Sequence, residues 1–170
     1  MVEYLKEVLE YFLEVITGRS MRMATNHLFQ VMSEYKKTLL DEDRATEFHH
    51  TVEKLLFVTS RFRKDIKTTI AFLCTGVRIP DEDDWGKLVR VLRYIRCCLH
   101  LTLIRRDDSM SVIKWWVSAS FVAHPDCKRH IGSMMYMGSG SIMELSRRQK
   151  INGRNSTEDK IVVADNAFPQ

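Results

Sequence analysis

The sequence predicts an α+β fold, with N-terminal helices that include a helical hairpin, followed by a small antiparallel sheet with one helix. Three observations carry the class. Apolar residues recur at helical spacing up to about residue 100, the apolar period then drops to two, and Gly138-Ser139-Gly140 separates two short apolar runs. A chain of 170 residues has the size of one domain or of a domain with an appendage. The change of period divides it into a helical region, 1–100, and a sheet region, 101–170.

The elements follow in order. Leu5, Val8, Leu9, Phe12, Val15 and Ile16 make an apolar stripe over residues 2–17, with Glu3, Glu7, Glu10 and Glu14 mostly opposite and Gly18 as a stop. Residues 19–47 lose periodicity and collect Ser, Thr, Asn and charge, which reads as a connecting loop. Val52, Leu55, Phe62, Ile66, Ile70 and Leu73 restore one stripe from about 49 to 75, with Gly76 suited to a left-handed cap. After Pro80, Asp81, Glu82, Asp83 and Asp84 place negative charge where a helix N-terminus favours it, and Arg90, Arg93 and Arg96 fall toward the other end. Trp85, Leu88, Leu92, Ile95 and Leu99 are the stripe of this helix, which pairs with the preceding one as a hairpin.

Beyond residue 100, Leu101 and Leu103, then Val112 to Val117, flank the polar turn Arg105 to Ser109 as in a β-hairpin. Residues 131–137 and 141–148 read as two more strands around the glycine turn. Asn155-Ser156-Thr157 caps a last helix through Ile161, Val162 and Val163, which Pro169 helps to end.

Composition narrows the function classes. Hydrophobic residues at 45% and charged residues at 28% exclude a disordered tail, and no apolar run is long enough to span a membrane. The N-terminal run mixes acids into its apolar residues and lacks a small-residue cleavage site, so a secretory signal is not expected. Cys74, Cys97, Cys98 and Cys127 form no C-x-x-C pair and read as reduced thiols, which places the chain inside the cell, in cytoplasm or nucleus. The net charge of +4 is unevenly spread. Residues 1–53 carry 6 Lys/Arg against 10 Asp/Glu, residues 54–113 carry 12 against 7, and residues 114–160 carry 8 against 4. A basic body points to a polyanion such as nucleic acid, although the same charges also serve solubility.

Candidate chemistry is sparse. His124, Cys127 and His130 have H-x-x-C-x-x-H spacing, but a closed zinc site needs a fourth ligand, and a polar loop between strands explains them better. Asp107-Asp108 follows two arginines that would compete with a cation, and Asp83-Asp84 is explained by the helix dipole. Gly138-Ser139-Gly140 lacks the strand–glycine–helix order of a phosphate loop. The basic residues Lys128, Arg129, Arg147, Arg148, Lys150 and Arg154 are the candidate nucleic-acid contacts, with Tyr136 and Trp115-Trp116 on nearby strands as stacking faces.

The order of motifs resembles Ty1/copia-type retrotransposon polyproteins, at the junction of reverse transcriptase and ribonuclease H. Arg63-Lys64-Asp65-Ile66 stands where that family has "R-P-D-I", and Pro80…Trp85…Arg90-Val91-Leu92-Arg93-Tyr94-Ile95 where it has "P…H-W…R-V-L-R-Y-L". Lys114-Trp115-Trp116-Val117-Ser118-Ala119-Ser120 is similar to the first ribonuclease H strand, Gly132 to the glycine opening the second, and Ser156-Thr157-Glu158 to the start of the first helix. The resemblance covers about residues 49–168 and implies that the antiparallel sheet with its one helix is a partial ribonuclease H-like one. It implies cleavage of the RNA strand of an RNA–DNA hybrid with two Mg or Mn ions held by carboxylates. The family's first-strand aspartate falls on Ser118 and its helix glutamate on Lys160, while Glu158 matches the non-catalytic acid. The next aspartate of the family lies beyond Gln170, and the polymerase palm is absent.

The expectation is therefore a degenerate, truncated copy, catalytically inactive and without a cofactor, that keeps weak and non-specific affinity for RNA–DNA hybrid or other nucleic acid and none for membranes. Two alternatives stand beside it. One is a protein-interaction module that recruits a partner or a second copy through an open sheet edge or a helix face. The other is a divergent metal-dependent ribonuclease H that uses Asp126, Glu158 or Asp159 as substitute ligands.

Overall fold

An aspartate N-cap starts each of the two long helices of the first half. A computed structural model of the chain describes residues 2–12, 38–101, 103–106, 112–120, 128–150 and 155–167. The chain divides into two units, Met1–Thr102 and Leu103–Gln170. The class is α+β, with helices first and then a three-stranded antiparallel sheet and a C-terminal helix.

In the first unit, α1 spans Val2–Tyr11 and buries Leu5 and Val8. Residues 13–37 lie outside the described residues, and with them the rest of the expected first helix and most of the expected loop. α2 spans Glu42–Arg61, so residues 42–47 are helical where a loop was expected. Its first turn carries no apolar stripe. It is set by Asp41, whose side chain accepts from the Arg44 amide at 3.3 Å, and by Glu42 and Asp43 against the helix dipole. α4 spans Glu82–Cys97 as the sequence predicts, and the Asp81 carboxylate accepts from the Asp84 amide at 2.9 Å.

The single helix expected from 49 to 75 is instead three pieces. α2 ends at Arg61, a 3-10 turn occupies Lys64–Ile66, and α3 spans Lys67–Leu73. Arg63 explains the break. Its side chain is 1% exposed and forks onto Asp65, with Nε and Nη2 donating at 2.9 and 2.8 Å, while Nη1 donates to the Cys98 carbonyl at 3.1 Å. Residues two apart on a continuous α-helix do not face each other. The backbone must leave the helix for that fork to form, and Phe62 and Arg63 do so, at φ −148° and −98°.

The helices close around one core. Leu5, Val8 and Phe12 meet Phe48, Val52, Leu55 and Val58, with Ile66, Ile70 and Leu73 from the segment after the break and Trp85, Leu88, Val91, Leu92 and Ile95 from α4. Phe12 stacks on Trp85 at 4.9 Å between ring centroids, and the Arg44 guanidinium lies 4.5 Å from the indole centroid. Arg44 also pairs with Glu82, so Trp85 joins α1, α2 and α4.

In the second unit β1 is Ile113–Ser120, β2 His130–Met137, β3 Ser141–Arg148 and α5 Ser156–Ala167, with strand order β1-β2-β3. Among the described residues, the hairpin expected between Leu101–Leu103 and β1 does not form. The Leu101 amide closes a turn onto Cys98, and Arg106 bridges Ser139 in the β2–β3 turn instead of pairing with β1. Gly140 in that turn has φ +114°, and a Cβ there would meet the Ile104 carbonyl at 2.5 Å. The Asn155 carboxamide accepts from the Glu158 amide at 2.8 Å and caps α5 as expected. Pro169 lies outside the described residues.

Three outcomes test this fold. Trp85→Ala should cost about 3–5 kcal/mol and Leu92→Ala about 2–5 kcal/mol in urea unfolding, because both side chains are buried in the shared core. Gly140→Ala should destabilise through both its φ and its carbonyl contact, whereas Gly86→Ala, in open space on α4, should not. Burial pushes the Asp65 carboxyl up, but its hydrogen bonds and charge interaction with Arg63 outweigh this and hold it below its ordinary 3.8. A depressed folded value means that the pair stabilises fully above about pH 4 and loses its contribution as pH falls through the folded value. Asp65→Asn should flatten that part of the stability–pH curve; an unchanged curve would show that the pair adds nothing.

Candidate nucleic-acid interface

Strand pairing decides which residues of the second unit share a surface. Ser118 pairs with Gly132 and that with Ser146, while Ile131 pairs with Ala119 and Arg147. Residues directly opposite on paired strands lie on the same face, and neighbours along a strand on opposite faces. One face thus carries Trp115, Val117, Ala119, Ile131, Ser133, Leu145 and Arg147. The other carries Lys114, Trp116, Ser118, Gly132, Met134, Tyr136, Glu144, Ser146 and Arg148.

α5 covers the first of these faces, and a buried ion pair fixes it there. Arg129 continues β2 by one residue, since its carbonyl accepts from the Gln149 amide at 2.8 Å, so Arg129 and Gln149 extend the face of Ile131 and Arg147. Arg129 pairs with Asp159 of α5, and its Nη1 donates to the Asn155 carbonyl at 3.1 Å. The Gln149 amide reaches Asp159 at 3.5 Å. Arg129, Gln149 and Asp159 are all buried, as are Ile131 and Val163 beside them.

The sequence candidates separate on this frame. Arg129 is a buried structural partner and offers no surface charge to a phosphate. Lys128 is half-buried, Arg147, Arg148 and Lys150 are exposed, and Arg154 lies outside the described residues. Arg147 and Arg148, contiguous in sequence, point to opposite faces of β3, so the basic run is not one patch. Trp115 is half-buried on the covered face, whereas Trp116 is 65% exposed on the open one. Tyr136 stands on the open face, its hydroxyl 3.4 Å from the Met134 sulfur. Lys114, exposed and opposite Tyr136, belongs to this surface although the basic cluster read from the sequence did not include it. Period-two alternation was the signal that could have found it.

The positions that the family resemblance makes catalytic do not converge. Ser118 is exposed on the open face, while α5 sits on the other, with Lys160 exposed upon it. The α5 carboxylate that does point at the sheet is Asp159, already held by Arg129. Glu158 is exposed in the first turn of α5, and Asp126, His124 and Cys127 lie outside the described residues. His130, the last member of the H-x-x-C-x-x-H spacing, is buried with its Nε2 at 2.8 Å from the Ser146 hydroxyl. The donors present do not suit a pair of hard cations: a hydroxyl, an ammonium and a carboxylate bound to a guanidinium replace a carboxylate cluster. No family model, curated protein or solved structure matches this chain.

Removing one partner of the buried pair should be costly. Arg129→Met or Asp159→Leu alone strands a buried charge and should destabilise by about 3–5 kcal/mol, whereas the double variant should recover most of that loss. Equal stability of the two single variants and the wild type in chemical unfolding would show that the pair does not hold α5.

Proposed function

We propose that this chain is a non-enzymatic, retroelement-derived nucleic-acid-binding protein, a decayed relative of the reverse transcriptase–ribonuclease H junction of Ty1/copia-type polyproteins. The ordered motifs between residues 49 and 168 support the origin. Three antiparallel strands followed by a helix packed on them agree with the element order that the resemblance implies. The observation that carries the loss of catalysis is the separation of Ser118 from Lys160 across the sheet, with Asp159 engaged by Arg129. What the second unit still offers a polyanion is cationic: Lys114, Arg147, Arg148 and Lys150 are exposed.

Binding of this kind is driven by counterion release, so it falls steeply with salt and discriminates little between sequences. In fluorescence anisotropy with a labelled RNA–DNA hybrid, affinity should drop as salt rises. Changing Arg147 and Arg148 together to Ala should lower the slope of log affinity against log salt by about one to two. Salt-independent binding, or an unchanged slope, would refute the reading. Incubation of the hybrid with Mg or Mn should leave it intact. The double variant Ser118→Asp, Lys160→Glu should not cleave either, since its new carboxylates lie on opposite sides of the sheet. Robust metal-dependent cleavage by either protein would favour the divergent nuclease.

A further inference from the structure

We propose that the open face of the C-terminal sheet is a stacking platform for unpaired bases, which makes single-stranded nucleic acid the class of ligand it selects. The inference rests on the polyanion reading above and assigns the surface that discriminates among polyanions. Trp116 is 65% exposed on a strand whose neighbouring residues, Trp115 and Val117, are half-buried. Its cross-strand partner is Met134, 38% exposed, and Tyr136 stands diagonally beside it, next along β2 on the same face. Diagonal neighbours on paired strands lie about 7–8 Å apart, within reach of two bases on adjoining nucleotides.

The surroundings of the two rings favour a nucleic acid over an apolar partner. Lys114 is the cross-strand partner of Tyr136, so an exposed ammonium lies beside the platform. Arg148 shares the face at its other end, in the row of Ser120 and His130. From the Lys114 row to that row is six residues along β1, about 20 Å at the rise of a strand. Lys114, Ser118, Ser146 and Arg148 stand around the rings on the same face, a polar border to the Trp116–Met134 contact. Glu144 lies in the Trp116–Met134 row on β3, the strand farthest from Trp116. A duplex keeps the faces of its bases stacked inside and shows a protein only edges, sugars and phosphates. The exposed Trp116 ring, with the half-buried Tyr136 beside it, gains nothing from it, whereas every unpaired base has a face to stack.

The test compares a labelled single-stranded homopolymer, a labelled RNA–DNA hybrid and unlabelled heparin as competitor, on the full chain at low salt. Trp116→Leu keeps the apolar bulk and loses the ring, and Trp116→Phe keeps a ring. Circular dichroism and size-exclusion chromatography check that both variants fold and keep the wild-type oligomeric state. Stacking predicts that Trp116→Leu weakens the single strand by about five- to 150-fold, that Trp116→Phe retains most of the affinity, and that hybrid and heparin binding stay as they were. Equal affinity of wild type and Trp116→Leu for the single strand overturns the platform while leaving the polyanion reading standing. A Trp116→Leu variant that loses self-association instead of strand affinity identifies the face as a contact between copies and also overturns it. Absence of binding to all three polyanions at low salt removes the polyanion reading and this one together.

Discussion

A guanidinium taken out of water must find acceptors, and in each unit of this protein that requirement fixes the geometry around it. In the second unit Arg129 finds Asp159 and the Asn155 carbonyl, which holds α5 against one face of the sheet. In the first unit Arg63 finds Asp65 and the Cys98 carbonyl, which breaks a helix and ties the break to the end of α4. These buried charges are weak as sources of net stability, because desolvation offsets most of their attraction. Their effect is on specificity: each admits one arrangement of its neighbours and makes the alternatives costly.

The placement of α5 has a direct chemical consequence. A cluster of carboxylates able to hold cations needs acids from strand and helix on one side of the sheet. Here the side that the helix occupies is closed by an arginine–aspartate pair, and Ser118 looks out from the other. The α5 acid that faces the sheet, Asp159, already has a cation of its own. The same arrangement leaves Trp116 and Tyr136 on the face that α5 does not cover, near Lys114. The separation of Ser118 from the carboxylates of α5 and the exposure of Trp116 thus share one cause, the side of the sheet on which the helix packs.

The helical unit shows how polar and apolar signals divide the work. Trp85 is buried at the meeting of three helices, stacked on Phe12 and capped by Arg44, which also reaches Glu82. Apolar burial supplies most of the driving force at that junction. The ionic contact on the indole orients it and seals its outer side. Asp41 and Asp81, by accepting from the first-turn amides of Arg44 and Asp84, set where α2 and α4 begin without contributing to the core.

The sequence by itself determined the class, the position of α4, strands β2 and β3 and the cap of α5, because each rests on local periodicity or on a cap whose partners lie within a few residues. It also carried Trp85 and Leu92 into the core. It missed the polar first turn of α2, where Asp41 acts without any apolar stripe, and it read through the break at Arg63. It grouped Arg129, Arg147 and Arg148 as one basic surface. Those errors share a physical origin. Whether an arginine is a surface charge or a buried partner depends on acceptors far away in the chain, such as Cys98 for Arg63 and Asp159 for Arg129. Two adjacent tryptophans give no period, so only the pairing of β1 with β2 and the packing of α5 decided that Trp115 is sheltered and Trp116 is presented to solvent.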